Sequence, residues 1–165
     1  MTDADAIYPK QNDKKTLFDM TLPRLLLSKA KSVEEAIHYT EKYNYFYDVA
    51  PLHYMVADAS GHSAVIEFVD GKMVVTKAEN KYQAVTNFTL FDNPTKTGFG
   101  KDRYDNILNV LEKQGGIISE EDALELLKSN VIPGDEQWSA VYNLTQKTLS
   151  VTFSGDYKNI HRFKL

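Results

Sequence analysis

The hydrophobic pattern of this chain changes period along its length. The first fifteen residues carry Asp, Lys, Asn and Gln with almost no apolar periodicity, so a flexible arm is expected over 1–15 and structure near Thr16. Leu17, Phe18, Met20 and Leu22 lead to Pro23, which suits the first turn of a short helix running through Leu25 to Leu27. Ser32-Val33-Glu34-Glu35 spells a capping box, in which the Ser32 hydroxyl accepts from the Glu35 amide and Glu35 reaches back. Val33, Ala36, Ile37 and Thr40 follow at helical spacing, which predicts a helix from Val33 to Tyr43.

From Leu52 the period shortens to two. Strands are expected over 52–57, 64–69, 73–76 and 82–86, with turns at Asp58-Ala59-Ser60-Gly61 and Asp70-Gly71. An Asp-Gly pair between apolar runs favours a two-residue hairpin, because both turn positions need positive φ. A loop rich in Asn, Pro, Thr and Gly follows, from Thr89 to Lys101. Tyr104, Ile107, Leu108 and Leu111 mark a long helix stopped by Gly115-Gly116. Ser119-Glu120-Glu121-Asp122 opens another, with Ala123, Leu124, Leu126 and Leu127 on its buried side. Pro133-Gly134 breaks that pattern. Trp138 to Leu144 and Leu149 to Phe153 form a hairpin around Thr145-Gln146-Lys147, and Ile160 to Leu165 adds a short terminal strand. There is no internal repeat and no linker, so residues 16–165 are expected to form a single α+β domain.

Composition narrows the function classes. A chain of 165 residues is long enough to bury a core, removing roughly 70% of its unfolded surface from water. Net charge is −4 with signs interspersed, and no Lys/Arg block offers a surface to nucleic acid. The apolar run Leu25-Leu26-Leu27 is far short of the ~20 residues that cross a bilayer, so no membrane association is expected. Met1 to Lys15 has no apolar stretch of the secretory kind, and a cytoplasmic location is expected. The cysteine count is zero, which leaves no disulfide, no thiolate zinc site and no thiol nucleophile within these residues.

Few residues suggest chemistry on their own. His38, His53, His62 and His161 show no metal-ligand spacing, so neither a metal nor a cofactor is expected. Asp58 and Glu67 could be an acid and base, but Asp58 opens a turn and Glu67 lies within a strand, and those roles suffice. Gly98-Phe99-Gly100 before a helix could cradle an anion or simply give the loop a flexible entry. Asn87, directly after the strand expected over 82–86, presents a side-chain amide in a fixed direction, as an oxyanion hole requires; an Asn there also suits a turn.

Taken in series, several segments carry a family resemblance. His53-Tyr54-Met55-Val56-Ala57-Asp58-Ala59-Ser60-Gly61, Ala64-Val65-Ile66-Glu67, Val85-Thr86-Asn87-Phe88, Gly100-Lys101-Asp102-Arg103-Tyr104 and Gln137-Trp138-Ser139-Ala140-Val141-Tyr142-Asn143 occur in that order. The series resembles the C-terminal half of the choloylglycine hydrolase and penicillin V acylase group. That group includes the acyl-CoA:6-aminopenicillanic acid acyltransferase branch and the linear amide C–N hydrolases. The Asp-Arg-Tyr and Trp-Ser-Ala-Val-Tyr segments look nearer to the acyltransferase and linear-amide branch than to bile-salt hydrolases. With Ser-Val-Glu-Glu-Ala at 32–36, the resemblance covers Phe18 to Leu165.

The resemblance implies an N-terminal-nucleophile (Ntn) fold, an αββα sandwich of antiparallel sheets, here with its N-terminal strands missing. It implies cleavage of linear amide C–N bonds, as in N-acyl amides, penicillin V or conjugated bile acids, by an N-terminal Cys whose α-amino group is the base. Asn87 matches the family's oxyanion Asn, and Arg103 matches an Arg with a supporting electrostatic role. Trp138 and Ser139 match a core-strand segment, where a structural role is as fitting as a substrate one. The departure is the thiol. Removal of Met1 would expose Thr2, but Thr2-Asp3-Ala4-Asp5-Ala6 is acidic and unlike the buried strand a nucleophile opens. The expectation is therefore a C-terminal part that is inactive alone. It would need a small-molecule amide substrate and an N-terminal half, or would self-associate; the alternative is a non-catalytic relic of the fold, or an acyltransferase half.

Overall fold

A computed structural model describes residues 7–48, 52–132, 134 and 137–165. Its contacts fall into two compact units, residues 1–104 and 105–165.

In the first unit, helix α1 (Leu22–Lys29) follows a short 3-10 turn, carries Pro23 in its first turn and buries Leu22 and Leu26 four residues apart on one face. Helix α2 (Val33–Thr40) starts at Ser32, whose hydroxyl accepts from the Glu35 amide at 3.2 Å. Glu35 reaches back to the Lys31 amide at 2.8 Å, one residue earlier than a capping box places it. The helix stops at Thr40 rather than Tyr43. There the Tyr45 hydroxyl takes the Thr40 carbonyl at 2.7 Å, and the chain enters β2 (Asn44–Phe46), which pairs in parallel with β1 (Thr16–Phe18). Two three-residue strands are too short to show a period in the sequence.

The arm expected over 1–15 is anchored from Ile7 onward. Ile7 exchanges backbone bonds with Phe68 and Gly71 at 3.0 and 3.1 Å. Tyr8 is buried, donates to the Asp19 carboxylate at 2.7 Å, and meets the Phe68 ring edge-on at 4.8 Å. One buried aromatic side chain contributes about 2 kcal/mol, which is enough to hold a segment whose other residues show no pattern. Tyr8, Tyr45, Tyr54 and Phe68 form the aromatic centre of the core, with Leu22, Leu26, Ala36 and Ile66 around them. Burial pushes the phenols of Tyr8, Tyr45 and Tyr54 well above their ordinary titration range.

The expected meander is present as an antiparallel sheet of β3 (Tyr54–Ala57), β4 (Ser63–Val69) and β5 (Lys72–Lys77), with β4 central. Asp70 and Gly71 both take positive φ, 51° and 71°, as a two-residue turn of this kind needs. Strand β4 is buried on both faces: Ile66 and Phe68 face the aromatic core, and Val65 packs against Phe88 and Leu90.

The fourth strand expected over 82–86 does not form. Ala84, Thr86, Phe88 and Leu90 are buried in alternation, so the period of two is real, but among the described residues side chains rather than a partner strand hold this segment. Gln83 accepts from Ser63 Oγ at 2.9 Å and donates to the Thr76 carbonyl at 2.8 Å.

Helix α3 (Lys101–Lys113) runs across the division between the units, and Gly115 and Gly116 end it in the left-handed region. In the second unit, α4 (Glu120–Ser129) is capped by Ser119, which accepts from the Asp122 amide at 3.0 Å. Of its expected inward residues only Leu124 is fully buried; Ala123, Leu126 and Leu127 are partly so. Strands β6 (Trp138–Asn143), β7 (Thr148–Phe153) and β8 (His161–Lys164) form an antiparallel sheet in that order. Ser150 and Arg162 tie it to α4 through Glu120 at 2.8 and 2.9 Å. The opposite face shows Trp138, Tyr142, Phe153 and Phe163, each more than half exposed. Pro133, expected as a break, lies outside the described residues. The α+β class with antiparallel sheets stands.

Candidate oxyanion site

Residues 82–91 form no helix or strand, and Asn87 lies in a bend between the buried Thr86 and Phe88. The structure brings Asn87 and Arg103 together: Arg103 Nη2 donates to Asn87 Oδ1 at 2.8 Å. A guanidinium has donors and no acceptor, so the amide has to present its oxygen to Arg103, and Nδ2 with both hydrogens faces the other way. Among the described residues nothing accepts from that Nδ2. The cation also pulls on Oδ1, which makes the remaining N–H groups better donors.

The glycines that suggested an anion cradle serve this pair. Gly100 has φ +84°, and a Cβ there would come within 2.4 Å of Arg103 Nη2 and 3.3 Å of Thr86 Cβ. Only glycine lets the guanidinium lie against the backbone at this point. A Cβ on Gly98 would meet Phe88 at 2.3 Å. Phe99 lies between these glycines, and Arg103 stands 5.4 Å over its ring. Gly98-Phe99-Gly100 therefore wraps around Phe88 and Arg103, two side chains that flank Asn87.

Packed against this segment is a buried pair, His53 and Glu67, that the sequence offers separately and does not bring together. Glu67 is 1% exposed; its Oε1 accepts from the Leu90 amide at 2.7 Å and its Oε2 from the Phe91 amide at 2.9 Å. His53 Nδ1 lies 3.4 Å from Glu67 Oε1, and His53 Nε2 lies 2.7 Å from the Thr86 carbonyl. A carbonyl oxygen only accepts, so Nε2 carries the hydrogen. Burial alone would raise the Glu67 carboxyl, but hydrogen bonds from His53, Leu90 and Phe91 outweigh it and hold the group below the usual carboxylate range. The sequence did hold a signal: antiparallel register sets Tyr54 opposite Ile66, and extending it one residue sets His53 opposite Glu67.

Residues 4–114 match the family model described as linear amide C-N hydrolases, choloylglycine hydrolase family. This chain belongs to that family. A penicillin V acylase from Pectobacterium atrosepticum is 48% identical over 44 residues, which is 27% of this chain and 11% of that protein. The solved penicillin V acylase from Agrobacterium tumefaciens matches with a TM-score of 0.72 at 22% identity, over 97% of this chain and 60% of that one. A mutant conjugated bile acid hydrolase from Clostridium perfringens matches with a TM-score of 0.70 at 15% identity, over 100% and 68%. The fold is thus that of Ntn hydrolases, and the chain spans well under the full length of each relative.

The remaining candidates lie elsewhere in this family member. Asp58 is not paired with Glu67. It accepts from Ser60 and from the Val33 amide, which holds its carboxyl down to about 2 and ties the β3–β4 turn to the start of α2. Ligand atoms of Glu34, Asp58 and His62 lie within 4.8 Å of one another, but Glu34 is taken by the Lys77 ammonium at 3.0 Å and Asp58 by backbone amides. In the second unit, Ser139 bonds the Tyr157 hydroxyl at 2.7 Å and Trp138 is 65% exposed on β6. Thr2 lies outside the described residues. No described helix is long and apolar enough to cross a membrane.

Proposed function

We propose that this chain carries the oxyanion-stabilising part of a cysteine Ntn amidohydrolase that cleaves linear amide C–N bonds, with the thiol supplied from outside its 165 residues. The observation that carries this reading is the 2.8 Å bond from Arg103 to Asn87, which leaves the amide N–H groups turned away from the cation as ready donors. In such an enzyme the Cys thiolate adds to the amide carbonyl, and Asn87 Nδ2 donates to the oxygen as it gains negative charge. Arg103 holds the amide and adds its positive charge. The C–N bond then breaks, the amine leaves with the proton taken by the α-amino group, and water cleaves the thioester. An amine in place of water would make the same site an acyltransferase.

The relatives' names favour N-acyl amides such as penicillin V or conjugated bile acids as substrates. The exposed aromatic face of the β6–β8 sheet supports a further layer packed on it, from an N-terminal half or a second copy. The test is turnover of penicillin V and of a conjugated bile acid by the chain alone and with a polypeptide that opens with Cys and supplies the rest of the fold. Turnover only in the mixture supports the reading. Turnover by the chain alone, abolished by Thr2→Ala, overturns it.

A further inference from the structure

Among the described residues the segment that holds Asn87 has no partner strand, so something other than a backbone ladder has to fix the direction of its side chain. Backbone groups on both sides of it are bonded to two buried side chains, His53 just before β3 and Glu67 in β4. On the N-terminal side, His53 Nε2 donates to the Thr86 carbonyl at 2.7 Å. That carbonyl belongs to the peptide unit whose nitrogen is Asn87's own, and the unit is planar. Fixing the oxygen therefore fixes the plane from which the Asn87 Cα–Cβ bond departs. On the C-terminal side, the two oxygens of Glu67 take the Leu90 and Phe91 amides at 2.7 and 2.9 Å. His53 and Glu67 face each other at 3.4 Å, so the two anchors form one unit. Glu67 projects from the middle of β4, the central strand of its sheet, which is as rigid a base as this unit offers.

We infer that His53 and Glu67 are positioning residues that clamp the Thr86–Phe91 segment from both sides and so aim the Asn87 amide. This rests on the oxyanion reading of Asn87 for its functional meaning, but the clamp itself can be read in the chain without any catalysis. It assigns a buried His–carboxylate pair to orientation rather than to acid–base chemistry: every oxygen of Glu67 is taken by a backbone amide or by His53, and Nε2 of His53 is taken by a carbonyl. Gln at position 67 keeps the shape but carries one acceptor oxygen, so it can hold only one of the two amides.

The test is nitrogen-15 NMR of the full chain, following the Asn87 side-chain amide and the backbone amides of Leu90 and Phe91. In the unmodified chain the Leu90 and Phe91 amides exchange with solvent at least ~100-fold slower than unprotected amides. In Glu67→Gln one of the two loses that protection, and the Asn87 side-chain signals move toward those of a free amide while the signals of α1 and α2 stay in place. His53→Phe gives the same movement, and His53→Gln, which keeps a donor for the Thr86 carbonyl, restores most of it. Asn87 signals unmoved in folded Glu67→Gln and His53→Phe overturn the clamp. Where neither variant folds, unprotected exchange of Leu90 and Phe91 in the unmodified chain overturns it. If the signals move as expected but Asn87→Ala leaves turnover of the completed enzyme intact, the clamp stands and the oxyanion reading fails.

Discussion

The β4–β5 hairpin and the Tyr82–Gly100 segment are both rich in buried apolar side chains, yet different bonds hold them. The hairpin is joined by a backbone ladder over six residue pairs from Ala64–Lys77 to Val69–Lys72, closed by Asp70-Gly71. The second segment is held by side-chain bonds: its own Gln83 to Thr76, and from outside it His53 to Thr86, Arg103 to Asn87, and Glu67 to Leu90 and Phe91. A ladder uses groups that every residue has, so single substitutions weaken it little. A segment held by a few particular side chains can aim Asn87 at a chosen point, but one substitution releases it. That is the arrangement expected where function, rather than stability alone, sets the geometry.

The comparison can be broken first at Glu67. Glu67→Ala leaves the Leu90 and Phe91 amides and His53 without their acceptor, and a loss on the order of 3 kcal/mol is expected from urea unfolding. A loss under about 1 kcal/mol would mean the segment is held as the hairpin is. Next is Gly100→Ala, where the left-handed φ of +84° and the Cβ within 2.4 Å of Arg103 act together. About 2 kcal/mol is expected, with loss of the Asn87–Arg103 bond visible in the Asn87 amide signals.

Acid gives a third lever. The Glu67 carboxyl titrates below its ordinary value in the folded chain, so its contribution is fully present above the ~4.3 of a free Glu. It is lost as pH falls from there through the lowered folded value, and Glu67→Gln flattens that limb of the stability curve. Alkali acts on the aromatic core in the opposite sense. The phenols of Tyr8, Tyr45 and Tyr54 are raised, so stability is lost as pH climbs above ~10. The smallest effect is expected at Gly71→Ala, where φ is +71° but the space beyond is open. About 1 kcal/mol of backbone strain, with no change at Asn87, completes the contrast with Gly100.

The same division explains what could be read in the sequence. The hairpin, the Ser32 and Ser119 caps and the glycine stop after α3 are local devices, and each appears where its residues predict it. The segment 82–86 has a strand's alternation without a strand's partner, and alternation alone cannot distinguish the two. Tyr8 anchors the arm by one ring against Phe68, which no periodicity records. Asn87 and Arg103 were brought forward by family resemblance, and their direct bond across sixteen residues was not foreseen. His53 and Glu67 were legible only through strand register, once the pairing of β3 with β4 was known.

The central claim is that Asn87, aimed by Arg103, stabilises an oxyanion. The most direct measurement is kcat for penicillin V in the enzyme completed with a Cys-bearing N-terminal part, comparing Asn87 with Asn87→Ala. A fall of roughly 100-fold or more in kcat, with KM changed far less, is the predicted result. An unchanged kcat would contradict the account.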